Sequence, residues 1–183
     1  MRASFGCGKV ILFGEHAVVH GQPALAAGLS LGIWVREDRP SDALGFDVAT
    51  WGTSTQEGND DRMAQALGRV AQVVRQRCGA LPNVHMVLEA DVPVGAGLGS
   101  SAAMAVALAR HLVSLAQSPA PNPTEVILEA ADAAERIFHG NPSGVDHTTS
   151  TLGGVLNYRK DRPERCVSLD GQPVPLRIAQ MEP

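Results

Sequence analysis

A run of glycines stands directly before a strong helix former in this sequence. The stretch GAGLGSSAAMAVALAR, residues 95–110, places three glycines and two serines ahead of alanine, methionine, valine and leucine. Glycine lets a backbone bend tightly and lets its N–H groups approach a ligand closely. The start of the following helix adds unpaired N–H groups and the positive end of its dipole, which together suit a phosphate. The stretch therefore predicts an anion-binding loop, with a purely structural strand-to-helix turn as the alternative.

This loop does not follow the common nucleotide-binding patterns. Gly99 is followed by Ser100 and no lysine, so it is not a P-loop, and glycines at every second position do not fit the dinucleotide fingerprint. The catalytic signatures of protein kinases are also absent. Ser101 adds a hydroxyl in the first helical turn, where it could reach a magnesium ion that bridges phosphates. The alternative role is N-capping, which Ser100 could perform equally well.

Two carboxylates flank a rigid turn in ERIFHGNPSGVDH, residues 135–147. Glu135 is placed near the end of an otherwise apolar, alanine-rich helix, and Asp146 follows an Asn-Pro-Ser-Gly turn. Magnesium prefers one or two carboxylates together with phosphate oxygens, so one acid could hold metal while the other handles a proton. Alternatively, Glu135 is a surface residue and Asp146 belongs only to the turn.

Charged residues also occur in an apolar setting in GKVILFGEHAVVHG, residues 8–21. Lys9 begins a predicted buried strand, where an ammonium group is costly unless it is paired. A lysine beside Asp146 would favour the ionised carboxylate and could neutralise charge on a transferred phosphoryl group. Glu15 and His16 follow Gly14, and for His16 and His20 a structural role is the alternative.

The elements that must position these residues are predicted from hydrophobic periodicity and breakers. We expect strands over Lys9–Phe13, Ala24–Ala27, Leu31–Arg36, Val84–Ala90 and Leu152–Tyr158, with a further one over Leu176–Ala179. We expect helices over Asp60–Arg77 and Ser101–Leu115, and a third that Thr124 caps and that ends before Asn141–Gly144. Residues 41–59 indicate a loop or irregular edge strands.

Composition narrows the class of protein. The chain has 183 residues, 44% hydrophobic and 19% charged, with a net charge of −4. These values favour one soluble globular domain over a disordered or nucleic-acid-binding protein, so an anion must be held by local positive potential. Three widely spaced cysteines without a CxxC pair predict neither a disulfide framework nor a zinc site and favour a reducing cytoplasm. No segment is apolar for long enough to predict a membrane span.

Taken together and in this order, GKVILFGEHAVVHG, PVGAGLGSSAA and HGNPSGVDHTTSTLGG resemble the motifs of the GHMP kinases. The resemblance extends from Phe5 to Tyr158, and it is greatest to the family members that phosphorylate mevalonate. One departure is Cys7, which stands where many family members have proline. The resemblance implies ATP-dependent phosphorylation of the C5 hydroxyl of mevalonate, with Mg²⁺ as the cofactor and with ATP and mevalonate as the ligands.

The resemblance also implies a role for each motif residue. The ATP phosphates would be wrapped by residues 95–101, namely Gly95, Ala96, Gly97, Leu98, Gly99, Ser100 and Ser101. Ser101 and Glu135 would bind the metal. Asp146 would be the catalytic base, with Lys9 close to both Asp146 and the transferring group. Lys9, Glu15, His16 and Asp146 would line the substrate pocket.

The fold that the resemblance implies is α+β, a two-layer ribosomal-protein-like domain with a left-handed βαβ crossover. Residues 1–183 would form the N-terminal ATP- and substrate-binding domain, and nothing after Tyr158 resembles the C-terminal domain of the family. The chain would thus hold most of the catalytic residues without the C-terminal half, and we expect it to be weakly active or inactive by itself. We therefore expect an exposed apolar face that favours self-association, for example as a homodimer.

Two other functions remain open on the sequence. The chain could be a non-catalytic ligand sensor on the same fold, although Lys9, Ser101, Glu135 and Asp146 count against it because a sensor needs no base. It could also phosphorylate another small alcohol, such as phosphomevalonate or a sugar.

Overall fold

Strand β2, Ala24–Pro40, is the longest element of the sheet in this computed structural model, which describes residues 3–160 and 164–165. The other strands are β1 (Ser4–Phe13), β3 (Gly45–Val48), β4 (Thr53–Gln56), β5 (Val84–Ala90), β6 (Val155–Tyr158) and β7 (Glu164–Arg165). The helices are α1 (Arg62–Cys78), α2 (Ser100–Leu115), α3 (Pro123–His139) and α4 (Val145–Leu152). Short 3₁₀ turns cover Val18–His20 and Ala49–Trp51.

Both edges of β2 are paired with other strands. β1 runs antiparallel along one edge, from Ser4 opposite Val35 to Phe13 opposite Leu25. β6 and β5 share the other edge, and β5 is followed outward by β3 and then β4. β3 and β5 are parallel, with α1 in the connection between them, whereas β2 is antiparallel to all of its neighbours. The sheet is therefore mixed, and together with the helices it confirms the α+β class. The hand of the βαβ crossover stays a prediction.

The helices cover one face of this sheet, so the domain has two layers. In β5, Val84, Met86 and Leu88 are buried, while the residues between them are partly or fully exposed, as their alternation predicts. The small side chains of α2 allow its backbone to approach β1 closely. A Cβ atom added to Gly6 would lie only 2.0 Å from the carbonyl oxygen of Ala103.

The helix starts follow capping chemistry. Asp61 caps α1, because its carboxylate accepts a hydrogen bond from the N–H of Ala64 at 2.9 Å. The predicted cap of α3 at Thr124 is wrong. Asn122 is the cap and Pro123 occupies the first turn, where its missing N–H costs nothing.

Other predicted boundaries also change. Ala24–Ala27 and Leu31–Arg36 belong to one continuous strand, so Gly28 does not break it. Glycine at this position leaves room for the neighbouring strand, since a Cβ atom would lie 3.1 Å from Sγ of Cys7. Residues 41–59 hold β3 and β4. The predicted strand over Leu152–Tyr158 begins only at Val155, and the strand expected at residues 176–179 lies outside the described residues.

Helix α4 is the element that the sequence patterns did not predict. Its sequence VDHTTSTL is rich in β-branched and hydroxyl residues, which have low helix propensity. It also contains few apolar residues that could show a helical spacing. Tertiary contacts stabilise it instead. The hydroxyl of Ser150 donates to the carbonyl oxygen of Cys7 in β1, and the guanidinium of Arg110 in α2 donates to the carbonyl oxygen of Thr151 at 2.6 Å.

Candidate active site

The glycine-rich loop between β5 and α2 is fixed to β1 by backbone hydrogen bonding. Gly95, Gly97 and Gly99 have φ angles of +75°, +74° and +72°, a region that favours glycine. The N–H of Lys9 donates to the carbonyl oxygen of Leu98 at 2.8 Å. The loop is therefore open to solvent at its tip and held at its base, and α2 starts at its end.

Neither serine at this helix start is a cap. The N-cap position of α2 is Gly99, and no side chain caps the helix there. The hydroxyls of Ser100 and Ser101 are thus available to other partners, and both residues line the pocket that the loop borders.

The side chain of Lys9 passes beneath the loop to reach Asp146. Its Nζ atom lies 3.2 Å from Oδ1 of Asp146 and donates to the carbonyl oxygen of Gly97 at 3.3 Å. Lys9 is only 7% exposed, so its charge is compensated by these two contacts. The predicted approach of Lys9 to Asp146 is present in the structure.

Asp146 is placed by the turn that precedes α4. Gly144 is the N-cap of that helix, with φ +92°, and Asp146 falls in the first turn, where the helix dipole favours a carboxylate. The phenol of Tyr158 donates to the carbonyl oxygen of Ser143 at 2.8 Å and steadies the turn. The side chain of Asp146 is 30% exposed, so it can meet a ligand from solvent.

Glu135 has a very different environment, because its side chain is only 1% exposed. Burial raises the pKa of this carboxyl group to about 7. A hydrogen bond with Ser101 opposes that shift, while the negative charge of Asp146 adds to it. The Oε1 atom of Glu135 is buried without a hydrogen-bond partner among the described residues. A buried, unpaired carboxylate oxygen is a position that a cation would satisfy.

His139 joins Ser101 and Glu135, although the sequence patterns gave it no role. Its Nε2 atom lies 3.3 Å from Oγ of Ser101 and 3.8 Å from Oε2 of Glu135. The spacing in the sequence indicates this contact. Residues four apart on a helix share a face, and His139 follows Glu135 by four positions.

Two neighbouring pockets contain these groups and share His139 and Asp146. The larger has a volume of about 410 Å³ and is lined by Lys9, Arg62, Gly95, Gly97, Gly99, Ser100, Ser101, Phe138, His139 and Asp146. The smaller, of about 180 Å³, is lined by Glu135, His139, Asn141, Pro142, Ser143, Gly144 and Asp146. Asp146 is thus placed where the contents of both pockets can meet.

Glu15 and His16 lie apart from this group. Both are exposed in the turn after β1, and neither is among the residues that line the two pockets. Their proposed place in a substrate pocket stays a prediction.

An apolar pocket next to the glycine loop was missed by the sequence patterns. It has a volume of about 640 Å³ and is lined by Thr50, Trp51, Thr53, Met63, Ala90, Asp91, Val92, Pro93 and Val94. It adjoins the 410 Å³ pocket at two points of the chain. Met63 of the apolar pocket follows Arg62 of the other, and Val94 of the apolar pocket precedes Gly95 of the other. Such a pocket forms only when the 3₁₀ turn, α1 and the loop come together.

The oxygen atoms of the site can bind a divalent cation only if a bound phosphate supplies part of the coordination shell of the metal. Within residues 3–160 and 164–165, no three His, Cys, Asp or Glu side chains converge as a metal centre would require. The unpaired oxygen of Glu135 and the hydroxyl of Ser101 fit magnesium, which takes few protein oxygens and completes its shell with phosphate and water. Across the part of the chain that the structure describes, every helix is too short or too polar to cross a membrane.

Comparison with known proteins agrees with the geometry. Residues 64–154 match the family model described as the GHMP kinases N terminal domain. The mevalonate kinase of Homo sapiens is 34% identical over 85% of this chain and 53% of its own length. The chain spans about half the length of the curated relatives that it matches.

Solved structures give the same result for the fold. The Methanococcus jannaschii mevalonate kinase superimposes with a TM-score of 0.75 at 19% identity, over 91% of this chain and 56% of that one. The L. major mevalonate kinase in complex with R-mevalonate gives a TM-score of 0.64 at 28% identity, over 100% of this chain and 53% of that one.

Proposed function

This chain belongs to the GHMP kinases, and from that premise we propose that its site transfers the γ-phosphoryl group of ATP to the C5 hydroxyl of mevalonate. The observation that carries the proposal is the ion pair of Lys9 and Asp146 in a pocket bordered by the glycine loop. A carboxylate and an ammonium beside an anion-binding loop are the groups that phosphoryl transfer to an alcohol requires. The relatives named mevalonate kinase support mevalonate as the acceptor.

Asp146 is the proton acceptor in this proposal. Its carboxylate lies between the two pockets and is open to solvent, so an alcohol in the smaller pocket can donate its proton to Asp146 as its oxygen attacks phosphorus. Glu135 also lines the smaller pocket, but we assign it to magnesium because its Oε1 atom is buried without a hydrogen-bond partner among the described residues. The two acids therefore have separate roles.

Lys9 stabilises charge during the transfer. Its ammonium is fixed by Asp146 and by the carbonyl oxygen of Gly97, so it needs no reorganisation when negative charge shifts toward the leaving phosphate. The N–H groups of the loop and of the first turn of α2 would bind the phosphates.

The nucleotide would extend across two pockets. When the phosphates of the nucleotide lie on the glycine loop, its adenine ring would enter the adjoining apolar pocket, where Trp51 and Met63 provide apolar surface. Ser101 and Glu135 would hold magnesium, which supplies neutralisation of phosphate charge when it is bound. We propose that the chain contributes the N-terminal ATP- and substrate-binding half of the kinase, consistent with its covering about half of its relatives.

The test is phosphoryl transfer from MgATP to a panel of mevalonate, phosphomevalonate, galactose and homoserine, with product detected by mass. Because the chain spans about half the length of its relatives, we expect weak formation of 5-phosphomevalonate by the chain alone and more when the second half of the kinase is supplied. We expect a loss of at least about 100-fold in Asp146→Asn, with MgATP binding retained. Asp60→Asn, an exposed acid outside both pockets, is the matched control. Unchanged turnover in Asp146→Asn would overturn the role of the base. No transfer to any acceptor, either by the chain alone or with the second half supplied and with MgATP still bound, would favour a ligand sensor instead.

A further inference from the structure

Arg62 is a charged residue of the phosphate pocket to which the mechanism above assigns no role. It is the first residue of α1 and lines the pocket together with Lys9, the three loop glycines and Ser101. Its side chain makes no hydrogen bond or ion pair with any other described residue. A guanidinium that faces a pocket with all of its donors free is ready to bind an anion.

The position of Arg62 relative to the two nucleotide pockets is specific. Arg62 lines the phosphate pocket and the next residue, Met63, lines the apolar pocket. Gly95 and Val94 are divided between the two pockets in the same way. A nucleotide that occupies both pockets would therefore lie close to both Arg62 and the glycine loop.

The backbone that carries Arg62 is firmly held. Asp61 caps the helix and its other carboxylate oxygen accepts a hydrogen bond from Thr55 at 2.5 Å. A few residues earlier, Glu57 forms a two-point pair with Arg75 of α1 at 2.6 and 2.8 Å. Asp61 thus fixes the start of α1, and Glu57 fixes its last turn, where Arg75 lies. The side chain of Arg62 remains free to adjust to a ligand.

Helix stability does not account for an arginine at this position. A positive side chain in the first turn opposes the helix dipole, and the acid at this helix start, Asp61, is already engaged as the cap. An anion bound there would be favoured by both the dipole and the guanidinium.

The protein side chains of the pocket supply little net positive charge apart from Arg62. Lys9 is paired with Asp146, so the two together contribute no net charge to a ligand. The whole chain carries a net charge of −4 and provides no attraction of its own. ATP remains anionic after it binds magnesium, and Arg62 is the charge of this pocket that is free to balance it.

We propose that Arg62 binds the phosphate chain of the nucleotide in the pocket that it shares with the glycine loop, as a positioning residue for transfer. The proposal rests on the function proposed above. Arginine suits this role because its planar donors can engage two phosphate oxygens at once, which lysine cannot do.

The test is the affinity of Arg62→Gln for MgATP and for adenosine, measured by calorimetry with thermal unfolding as a second readout. We expect the dissociation constant for MgATP to rise about tenfold or more, since hydrogen bonds to charged groups are strong. Adenosine should bind as in the native chain, and the unfolding temperature should not fall. The matched control is Arg69→Gln on the same helix, whose exposed guanidinium donates to Gln72. Arg62→Lys should recover part of the loss.

The outcomes separate this proposal from the one on which it rests. Equal MgATP affinity in Arg62→Gln and the native chain would overturn the role of Arg62 and leave the proposed function standing. A parallel loss of adenosine affinity would also overturn it, because the change would then have altered the apolar pocket. Failure of the native chain itself to bind MgATP would overturn both.

Discussion

The side chain of Lys9 occupies the space in which residue 99 would place a Cβ atom. A Cβ built on Gly99 would lie 2.7 Å from Cγ of Lys9 and 2.9 Å from its Cε. Gly99 therefore has two functions. It adopts the left-handed conformation that ends the loop, and it leaves a passage for the lysine to reach Asp146.

Replacing Gly99 with alanine should consequently do more than strain the backbone. Gly97→Ala is the matched control, since Gly97 has nearly the same φ but open space where its Cβ would lie. We expect Gly97→Ala to lower the free energy of unfolding by about 1–2 kcal/mol from conformational strain alone. Gly99→Ala should lower it further and should also reduce phosphoryl transfer by displacing Lys9. Urea denaturation together with the transfer assay checks this, and equal effects of the two variants would contradict it.

Lys9→Met should preserve the fold but not the chemistry. Methionine retains the apolar stem beneath the loop. The carboxylate of Asp146 keeps access to water, so water solvates its charge when the ammonium is removed. We expect the free energy of unfolding to change by no more than about 1 kcal/mol and the rate of transfer to fall by about 100-fold or more.

Lys9→Arg should not restore that rate, because a bulkier guanidinium does not fit in the passage beneath Gly99. Steady-state kinetics and thermal unfolding of both variants provide the measurement. Full activity in Lys9→Met would rule out a role for this charge.

Glu135→Gln should stabilise the ligand-free chain at alkaline pH. The folded carboxyl has a pKa of about 7 against its ordinary 4.5, so the folded state binds a proton more tightly than the unfolded state. The free energy of unfolding must then fall as pH rises from about 4.5 to 7, by at most about 3 kcal/mol. Glutamine has no charge to bury, so the variant should exceed the native chain in stability at pH 8 and match it near pH 4.

The same variant should lose its magnesium-dependent gain in nucleotide affinity, because the carboxylate oxygen is replaced. Glu129→Gln, an exposed acid on the same helix that pairs with Arg77, is the control. Chemical denaturation at pH 4 and pH 8 would contradict the argument if the native chain and Glu135→Gln showed the same pH dependence.

Two glycines outside the site should respond to alanine in opposite directions. At Gly6 a Cβ would lie 2.0 Å from the carbonyl oxygen of Ala103, so β1 would have to move away from α2 and stability should fall by about 3 kcal/mol or more. At Gly68, within α1, a Cβ meets nothing within 4 Å, so alanine should raise stability by about 0.5–1 kcal/mol. Urea midpoints measure both, and a destabilised Gly68→Ala would show that the helix surface is not free there.

The residues of the candidate site could be predicted because their types are unusual for their surroundings. A lysine in an apolar strand, glycines before a helix and an acid in an alanine-rich helix each conflict with a purely structural explanation, and such conflicts mark functional sites. The structure places Lys9, Ser101, Glu135 and Asp146 around adjoining pockets.

What could not be predicted depends on contacts between distant segments. Helix α4 has little intrinsic helix propensity and relies on Cys7 and Arg110 for its partners. The apolar pocket combines residues of a 3₁₀ turn, of α1 and of the segment before Gly95, and none of these is unusual by itself. Arg62 is likewise an ordinary surface arginine until α1 is placed beside the loop.

The pairing of both edges of β2 also fixes the order in which the site can arise during translation. β1 and β2 are neighbours in sequence and can pair as soon as both have left the ribosome. β6 fills the opposite edge, and α4, which carries Asp146, comes immediately before it. Until that late segment emerges, Lys9 lacks its carboxylate and Cys7 lacks its contact with Ser150. The pair of Lys9 and Asp146 therefore forms late in the synthesis of the chain, when the segment that carries α4 and β6 has emerged.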